Sequence, residues 1–372
     1  MALNAMMVSA GDAAQVLQEG WAAQHAGRFR ASWMLHGAPG VGKTQVVEQL
    51  AARIGARLFD LRLTTIEPQD LRGLPYYDHA ARTTVWYRPE DLPEDPEQPS
   101  ILFLDELTAA APTLQPTVYG LLQERRVGRH LLPDSVFVVA AGNMVEDGAV
   151  AYEMGTGLSD RLVHLHVRAS ASDWLENYAV PKGLHPAVTA FVRTRPDLLE
   201  TTEVALERGH MIACTPRSWE RVSEIMGHVG DRRLRQMMVA GTVGEAVAAE
   251  FAMVADDIAA TVQVTEMLQA SGRARWDMYP ETMHGLTALI HGLVGVLEAE
   301  NAAGVIEILA GIRTLRSKRP EEVFSRMPLG ELTTYGFEAL IRKGLDLDLD
   351  DAFLASPSFR AYSEEREAAG LA

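Results

Sequence analysis

The stretch that decides the fold of this chain is Gly37-Ala38-Pro39-Gly40-Val41-Gly42-Lys43-Thr44. A short apolar run, Ser32–His36, precedes it, and a segment with apolar residues at helical spacing continues it from Lys43 to about Ile54. The glycines, the lysine and the threonine occupy every fixed position of the phosphate-binding loop pattern, and strand and helix lie on the expected sides. The stretch therefore predicts a nucleotide-binding P-loop, and its context disfavours a chance match.

Each part of the P-loop has a chemical task. Glycines allow the tight turn that points backbone N–H groups at phosphate oxygens, and the helix N-terminus adds positive partial charge. Lys43 is placed to reach the β- and γ-phosphates, and the Thr44 hydroxyl is placed on Mg²⁺. We therefore expect ATP and Mg²⁺ as cofactors, with all residues from Gly37 to Thr44 contributing to the nucleotide site.

Two adjacent carboxylates follow a strongly apolar run, Ile101–Leu104. Ligands of parallel sheets bind at the carboxyl ends of the strands, so Asp105 and Glu106 are expected beside the P-loop. Asp105 would hold Mg²⁺ together with Thr44, largely through water, and Glu106 would orient or polarise the attacking water. Alone, an acidic pair at a strand end is more often a solvated strand end. Downstream of a P-loop, it indicates a catalytic site.

Asn143 follows another apolar run, Val136–Ala141, after a single glycine. Its amide would lie at a strand tip on the same edge of the sheet, where it could hold the attacking water or sense the γ-phosphate. An asparagine after a strand is, by itself, more simply a turn residue. The sequence leaves both interpretations open.

The distribution of apolar runs predicts an α/β unit followed by helices. The runs with the character of buried strands are Ser32–His36, Arg57–Leu63, Ile101–Leu104, Val136–Ala141 and Leu162–Val167. They predict a five-stranded parallel sheet covered by helices. We expect an α/β core over residues 1–169, an all-helical lid over 170–259 and a helical C-terminal extension over 260–372.

Composition and charge set limits on location and partners. The 372 residues include 34 Lys and Arg against 50 Asp and Glu, a net charge of −16, which disfavours nucleic acid and makes protein partners the default. The single cysteine, Cys214, allows no internal disulfide. Met1–Ala10 has no export signal, and no apolar run reaches the roughly 20 residues of a membrane span. These features predict a cytoplasmic protein.

The order and spacing of the P-loop, the acidic strand end and Asn143 resemble AAA+ ATPases, and more closely their MoxR-type branch. The resemblance covers roughly Ala31 to Ile225. It implies a P-loop NTPase core of the AAA+ type, a helical lid, and an insert in the second helix of the core.

Two further segments carry the same resemblance. Pro68–Gly73 followed by Thr84–Tyr87 looks like the helix-two insert, at about residues 66–90, and is expected to contain a hairpin. Arg125–Gly128 with Leu131–Pro133 is similar to the hairpin that precedes the first sensor, the position of Asn143.

The resemblance also assigns roles to two arginines. Leu158–Leu162 resembles the segment of the arginine finger, although the family commonly has an aromatic residue in place of Leu162, so Arg161 would reach the γ-phosphate of a neighbouring subunit. Thr215–Trp219 looks like the start of the second-sensor helix, so Arg217 would couple the lid to nucleotide state, in cis or in trans. Both would stabilise charge on the transferring phosphoryl group. The alternative for each is a surface ion pair.

The sequence supports three candidate functions to different degrees. The resemblance implies an ATP-hydrolysing hexameric ring that remodels or matures a protein client, with a von Willebrand factor A domain protein as partner. Related branches with the same insert are nucleic-acid motors, but their hairpins carry basic residues, and Tyr76–Arg82 is only weakly basic. A scaffold that binds ATP with little turnover would leave Glu106, Asn143 and Arg161 without a role.

Three histidines lie on the predicted strands near the P-loop. His164 and His166 share one face of a strand, as a metal pair would, but the sequence offers no third ligand. Ordinary strand histidines are the simpler interpretation. His36 is interpreted as the last residue of its strand.

Overall fold

The computed structural model describes residues 3–148, 156–319 and 321–368. The chain divides into two compact units. The first unit consists of residues 1–170, 202–211 and 215–217, and the second of residues 171–201, 212–214 and 218–372. The first unit contains the P-loop, and the described part of the second unit is helical. The division into core, lid and extension stays a prediction.

In the part of the chain that the structure describes, all strands belong to the first unit. They are β1 (Met7–Val8), β2 (Ser32–His36), β3 (Arg57–Arg62), β4 (Pro75–Asp78), β5 (Thr83–Trp86), β6 (Ser100–Asp105), β7 (Arg126–Val127), β8 (His130–Leu131), β9 (Val136–Gly142) and β10 (Leu162–Val167). Six of them form a parallel sheet in the order β1-β10-β2-β9-β6-β3. The other strands form two antiparallel hairpins, β4–β5 and β7–β8.

The prediction of five sheet strands is wrong by one, because β1 also pairs with β10. Its register places Met7 opposite His166 and Val8 opposite Val167. Two residues are too few to show an alternating or apolar pattern, so sequence periodicity could not reveal this edge strand. The α/β class and the parallel pairing of the five predicted strands are confirmed.

The helices are α1 (Ala10–His25), α2 (Lys43–Ile54), α3 (Pro68–Arg72), α4 (Gln115–Glu124), α5 (Thr156–Ser159), α6 (Ala171–Trp174), α7 (Pro186–Thr194), α8 (Thr202–Glu207), α9 (Pro216–His228), α10 (Arg232–Val243), α11 (Glu245–Thr261), α12 (Val264–Gln269), α13 (Gly272–Asp277), α14 (Met283–Gly295), α15 (Ala302–Lys318), α16 (Glu322–Ser325), α17 (Leu329–Asp346), α18 (Asp350–Ala355) and α19 (Pro357–Ala368). Short 3₁₀ segments cover Leu107–Ala109, Val145–Asp147 and Pro196–Leu198, and a π-helical turn covers Leu175–Ala179. In the described residues, no helix is both long and apolar enough to cross a membrane.

Both faces of the sheet are packed, so β6 and β9 are buried at every position. Successive side chains of a strand point to opposite faces. Trp33 and Phe103 accordingly lie in an apolar cluster with Leu17 of α1. Met34 and Leu102 lie in a second cluster, which α4 completes. Burial on both faces explains the nearly continuous apolar runs of the sequence.

The core of the second unit lies around α14, which is buried from Gly285 to Val294. Ile306 of α15 and Phe337 of α17 are fully buried in the same cluster. Close approach requires a glycine in α15, because a Cβ at Gly311 would lie 2.2 Å from the hydroxyl oxygen of Tyr279. A helix that is apolar on all sides is typical of a protein core.

A buried histidine lies inside this core. His291 Nδ1 is 2.7 Å from Thr189 Oγ1, and Nε2 is 2.7 Å from the Tyr335 hydroxyl. The Thr189 hydroxyl donates to Pro186 O at 3.1 Å, so we infer that Nδ1–H donates to Thr189 and that Nε2 accepts from Tyr335. Burial, reinforced by Arg193, lowers the pKa of His291 to about 3.

We predict that acid destabilises α14 through His291. The unfolded chain takes up a proton below the ordinary histidine pKa of about 6.5, whereas the folded chain excludes it until about pH 3. The local free energy of unfolding should therefore fall by up to about 1.4 kcal/mol per pH unit as the pH drops through this window. Hydrogen exchange of α14 peptides at several pH values measures it. His291→Gln should flatten the slope, and His25→Gln, at an exposed site, should not; equal slopes would contradict the assignment.

Candidate functional site

The P-loop joins β2 to α2 in a conformation that favours glycine. Gly37, Gly40 and Gly42 have φ of +151°, +82° and +103°. A Cβ at Gly37 would lie 2.3 Å from the backbone oxygen of Val167. A side chain at this position would therefore push the loop away from β10. The sequence predicts this turn, and the sheet explains why its first residue has no side chain.

The Lys43 side chain folds back over this loop. Its Nζ donates to Gly37 O at 2.6 Å, to Ala38 O at 2.9 Å and to Asn143 Oδ1 at 2.9 Å. The residue is 8% exposed. A buried ammonium needs such acceptors, because an unpaired buried charge is costly. The lysine thus connects the turn after β2 to the end of β9.

The surroundings of Lys43 shift the pKa of its ammonium group. Burial lowers the pKa of Lys43 to about 8. The carboxylates of Asp147 and Asp105 act against burial, and Arg217 acts with it. An anionic group at the loop would favour the ammonium form. The site is therefore suited electrostatically to a phosphate.

Thr44 and Asp105 place two oxygen ligands side by side. Thr44 Oγ1, in the first turn of α2, donates to Asp105 Oδ2 at 3.4 Å. Asp105 Oδ1 accepts from the Glu106 backbone N–H at 2.8 Å, which fixes the carboxylate at the end of β6. Hard oxygen ligands of this kind are those that Mg²⁺ prefers. No cluster of three or more His, Cys, Asp or Glu side chains that could bind a metal occurs within the described ranges.

Glu106 has an unusual backbone conformation. Its φ of 59° and ψ of 33° lie in the left-handed region, which costs a non-glycine residue on the order of 1 kcal/mol or more. The carboxylate accepts a hydrogen bond from the Thr64 hydroxyl, and Arg62 Nε lies 3.9 Å from Oε1. Strain of this kind concentrates at functional sites. Two side chains that follow or end β3 thus hold the second carboxylate of the acidic pair.

Asn143 is positioned by the close approach of β9 to the segment after β6. A Cβ at Gly142 would lie 2.5 Å from Thr108 Oγ1. The Asn143 amide oxygen faces Lys43, so a turn alone does not account for this side chain. The 3₁₀ segment that follows ends at Asp147, whose carboxylate accepts from the Met144 N–H at 2.9 Å.

Arg217 lies beside the P-loop of its own chain. A Cβ at Gly40 would lie 3.0 Å from Thr215 Oγ1 and 3.4 Å from Arg217 Cβ. The positive φ of Gly40 and this close approach both favour glycine there. Arg217 is therefore among the predicted site residues that the structure brings together.

Arg161 lies apart from this group. It is exposed, and its Nη1 donates to Gly157 O at 2.6 Å. It follows α5 and directly precedes β10. Within the described residues, its polar contacts thus involve its own turn and leave it accessible at the surface.

The histidines near the P-loop contact one another. His36 Nε2 lies 2.8 Å from His164 Nδ1, and the two rings meet edge to edge with their planes 18° apart and their centroids 5.1 Å apart. His164 Nε2 lies 2.9 Å from Ser159 O. Burial, followed by His164, His166 and Lys43, lowers the pKa of His36 to about 4. His164 therefore bonds to His36, the residue before the P-loop.

Sequence reasoning missed Thr64 and Asp147, and it named Thr215 only as the first residue of the segment that resembles the second sensor. Thr64 comes one residue after the predicted end of the second strand, and Asp147 comes four residues after Asn143. The rule that ligands gather at the carboxyl ends of parallel strands could have found Thr64. The position of Asp147 depends on the path of the chain beyond the sheet, which gives no periodic signal.

The residues fit a nucleotide and its metal. Positive φ angles at Gly37, Gly40 and Gly42 allow the turn that presents backbone N–H groups to phosphate, and Lys43 adds a cation. Thr44 and Asp105 supply the oxygen ligands beside it. The arrangement can bind a triphosphate and polarise it.

Comparison with known proteins finds a family match for part of the chain. Residues 32–151 match the family model of the AAA domain, dynein-related subfamily. The uncharacterized protein YeaC of Bacillus subtilis (strain 168) is 34% identical over 119 residues, which are 30% of this chain and 35% of YeaC. The chain thus matches about a third of the length of this relative.

Two structures of RuvB from Thermotoga maritima, a Holliday junction branch migration motor, are also similar at low scores. One is 17% identical, with a TM-score of 0.34, over 66% of this chain and 68% of RuvB. A variant of RuvB is 14% identical, with a TM-score of 0.35, over 88% and 87% of the two chains. Scores this low say nothing about activity. The family match and the parallel sheet give residues 32–151 the AAA+ fold of the P-loop NTPases.

Proposed function

We propose that the chain hydrolyses ATP at this P-loop and works as a ring of subunits that remodels a protein client. The observation that supports the proposal most is that groups from the ends of three strands meet at the first turn of α2: the Gly37 carbonyl after β2, Asn143 after β9 and Asp105 at the end of β6. Asn143 bonds to Lys43, and Thr44 joins the same turn of α2 to Asp105. A hexameric ring of the MoxR type, with a von Willebrand factor A domain partner, follows from the sequence resemblance.

Lys43 acts first, in binding. Its ammonium exchanges carbonyl acceptors of the loop for oxygens of the β- and γ-phosphates. The phosphate charge raises its pKa again, because an opposite charge favours the protonated form. The bond from Lys43 Nζ to Asn143 Oδ1, which is present in the structure, would keep the lysine near the position of the γ-phosphate.

Mg²⁺, when bound, neutralises charge on the phosphates. Thr44 Oγ1 would hold it directly, and Asp105 largely through water. Burial of Asp105 at 8% exposure and the bond from the Glu106 N–H keep this carboxylate in place.

Glu106 accepts a proton from the attacking water, or orients that water. The Thr64 hydroxyl and Arg62 hold its carboxylate, and the left-handed backbone turns it away from the direction of β6. Asn143 is the second group available to position the water. These residues supply the chemistry that the chain contributes from within one subunit.

Two arginines complete the proposed site. The approach of Arg217 to Gly40 supports a role in cis, on the nucleotide of its own subunit. Arg161 is exposed and tethered only to its own turn among the described contacts, which supports a role in trans. An active site that needs a foreign arginine makes assembly part of catalysis.

A client surface is formed by the two hairpins. Leu74, Tyr77, Tyr87 and Leu131 are 69%, 76%, 61% and 64% exposed. Arg88 Nη1 donates to Leu131 O at 3.5 Å and so joins the segment after β5 to the β7–β8 hairpin. Leu74 and Tyr87 share one face of the β4–β5 hairpin and Tyr77 lies on the other face. Exposed apolar residues on the faces of a hairpin favour a protein partner. The net charge of −16 supports the same choice.

We predict that Lys43→Ala and Glu106→Gln separate binding from hydrolysis. Lys43→Ala removes charge-assisted hydrogen bonds to phosphate and should weaken ATP binding by about tenfold or more. Glu106→Gln should retain binding and lower turnover by roughly 10²- to 10⁴-fold. Isothermal titration with Mg²⁺ and ATP, together with phosphate release, measures both quantities. Lys318→Ala removes an equal charge from an exposed helix position and should change neither. Equal turnover for Glu106→Gln and the parent protein would contradict hydrolysis at this site.

We further predict that hydrolysis-deficient subunits complement one another. Arg161→Ala alone should lower turnover by about 10³-fold or more, because the neighbour loses a charge-stabilising guanidinium. A mixture of Arg161→Ala and Glu106→Gln chains should recover activity, since the second chain supplies the arginine and the first supplies the carboxylate. Phosphate release from each chain alone and from the mixture measures it. No recovery in a mixture that co-assembles would contradict action in trans.

The client is tested by capture with Glu106→Gln in ATP, which should hold the bound partner through blocked hydrolysis. Recovery of a specific protein, lost on Lys43→Ala and reduced by Tyr77→Ser, is the expected result. Recovery of nucleic acid alone, with ATP turnover that nucleic acid stimulates and salt suppresses, would replace the proposal with a nucleic-acid motor.

A further inference from the structure

A continuous chain of hydrogen bonds runs from the residue before the P-loop to the turn that carries Arg161. His36 is the last residue of β2, and its Nε2 lies 2.8 Å from His164 Nδ1 on the neighbouring strand β10. His164 Nε2 lies 2.9 Å from Ser159 O and 3.1 Å from Ser159 Oγ. Ser159 ends α5, two residues before Arg161.

The acceptor at the far end sets the direction of the bonds. A carbonyl oxygen only accepts, so we infer that His164 Nε2 carries a proton and donates it to Ser159 O. In neutral His164 the lone pair of Nδ1 then accepts from His36 Nε2–H. A change in the position of His36 is therefore transmitted through His164 to Ser159.

The turn that receives this bond also holds the arginine. Arg161 N donates to Leu158 O at 3.1 Å, and Arg161 Nη1 donates to Gly157 O at 2.6 Å. These acceptors and Ser159 belong to one short helical segment, α5 and its last turn. A displacement of Ser159 therefore moves the groups that hold the Arg161 backbone and guanidinium.

The other end of the chain touches the nucleotide site. His36 is bonded covalently to Gly37, whose carbonyl oxygen accepts from Lys43 Nζ at 2.6 Å. Gly37 also fits tightly against Val167 of β10, where a Cβ would approach the backbone oxygen to 2.3 Å. When Lys43 exchanges the Gly37 carbonyl for phosphate oxygens, the loop would move. Because Gly37 is bonded to His36 and fits tightly against Val167, this movement would displace His36.

Packing alone does not explain the histidines. Burial of His36 and partial burial of His164 sacrifice hydration, and aliphatic side chains would fill the same space between β2 and β10 at lower cost. His36 is 7% exposed. The bonds to specific acceptors give the pair a directional function that apolar residues could not provide.

We propose that His36, His164 and Ser159 form a positioning relay that sets the Arg161 turn according to the state of the P-loop in the same subunit. The relay rests on the proposed role of Arg161 in trans. Each subunit supplies Arg161 to its neighbour. Through the relay, the position of this arginine depends on the nucleotide bound in the subunit that supplies it. His36 and His164 are positioning residues, since they act through Arg161.

The test places His164→Ala in one partner of a complementing mixture. In the Glu106→Gln chain, which supplies Arg161, it should lower the recovered turnover by about tenfold, as expected for the loss of one or two hydrogen bonds. In the Arg161→Ala chain, which supplies only the P-loop, it should leave the recovered turnover unchanged. The same substitution in the other chain is the matched control, because its effect on folding and assembly is common to both mixtures.

Two conservative variants examine the two bonds separately. His164→Asn keeps a polar atom near the Nδ1 position, facing His36, and His164→Gln keeps one near the Nε2 position, facing Ser159. A relay needs both bonds, so each variant in the Glu106→Gln chain should lose most of the recovered turnover. Full activity of either variant would contradict the relay.

The outcomes distinguish the relay from the function on which it rests. The first control is the mixture of Arg161→Ala and Glu106→Gln chains with His164 unchanged. If these chains co-assemble and recover no activity, both the role of Arg161 in trans and the relay are contradicted. Recovery that is insensitive to His164, or that falls equally from either chain, overturns the relay alone and leaves the proposed function intact.

Discussion

The buried ammonium of Lys43 is the constraint on which the rest of the site depends. A charge at 8% exposure is tolerated only with hydrogen-bond acceptors, and here they come from Gly37, Ala38 and Asn143. These acceptors lie after two different strands, β2 and β9, which are neighbours in the sheet. Pairing of these strands therefore has to be correct before the lysine can be buried. The fold and the phosphate site are stabilised by the same contacts.

The remaining groups follow from the order of the sheet. Because β6 lies beside β9, the carboxylate of its last residue, Asp105, reaches the first turn of α2, and β3 on the far side brings Thr64 to Glu106. On the other side, β10 brings His164 to His36. In a parallel sheet the carboxyl ends of all strands lie at the same edge. One or two residues at the end of each strand are therefore enough to bring carboxylates, an amide and a lysine together. Polar groups off this edge, such as His291 in the second unit, are satisfied separately.

The sequence predicted those parts of the site that are local in the chain. Gly37 to Thr44 and the pair Asp105 and Glu106 are contiguous patterns with strand or helix beside them, and the structure places them together. The strand β1 was missed because two residues carry no periodicity. The contact between His36 and His164 joins residues 128 positions apart and depends on which strands are neighbours, which no local pattern specifies. The bond of Thr64 to Glu106 depends on the order of the sheet in the same way.

The central claim is that nucleotide occupies the turn ahead of Lys43. Hydrogen exchange of the unaltered chain, compared with and without Mg²⁺ and a non-hydrolysable ATP analogue, tests it at the level of single segments. The account predicts slower exchange for the amides of residues 37–44 and for the segment around Asn143, because the loop N–H groups would bind phosphate. Protection elsewhere with no change in residues 37–44 would contradict it.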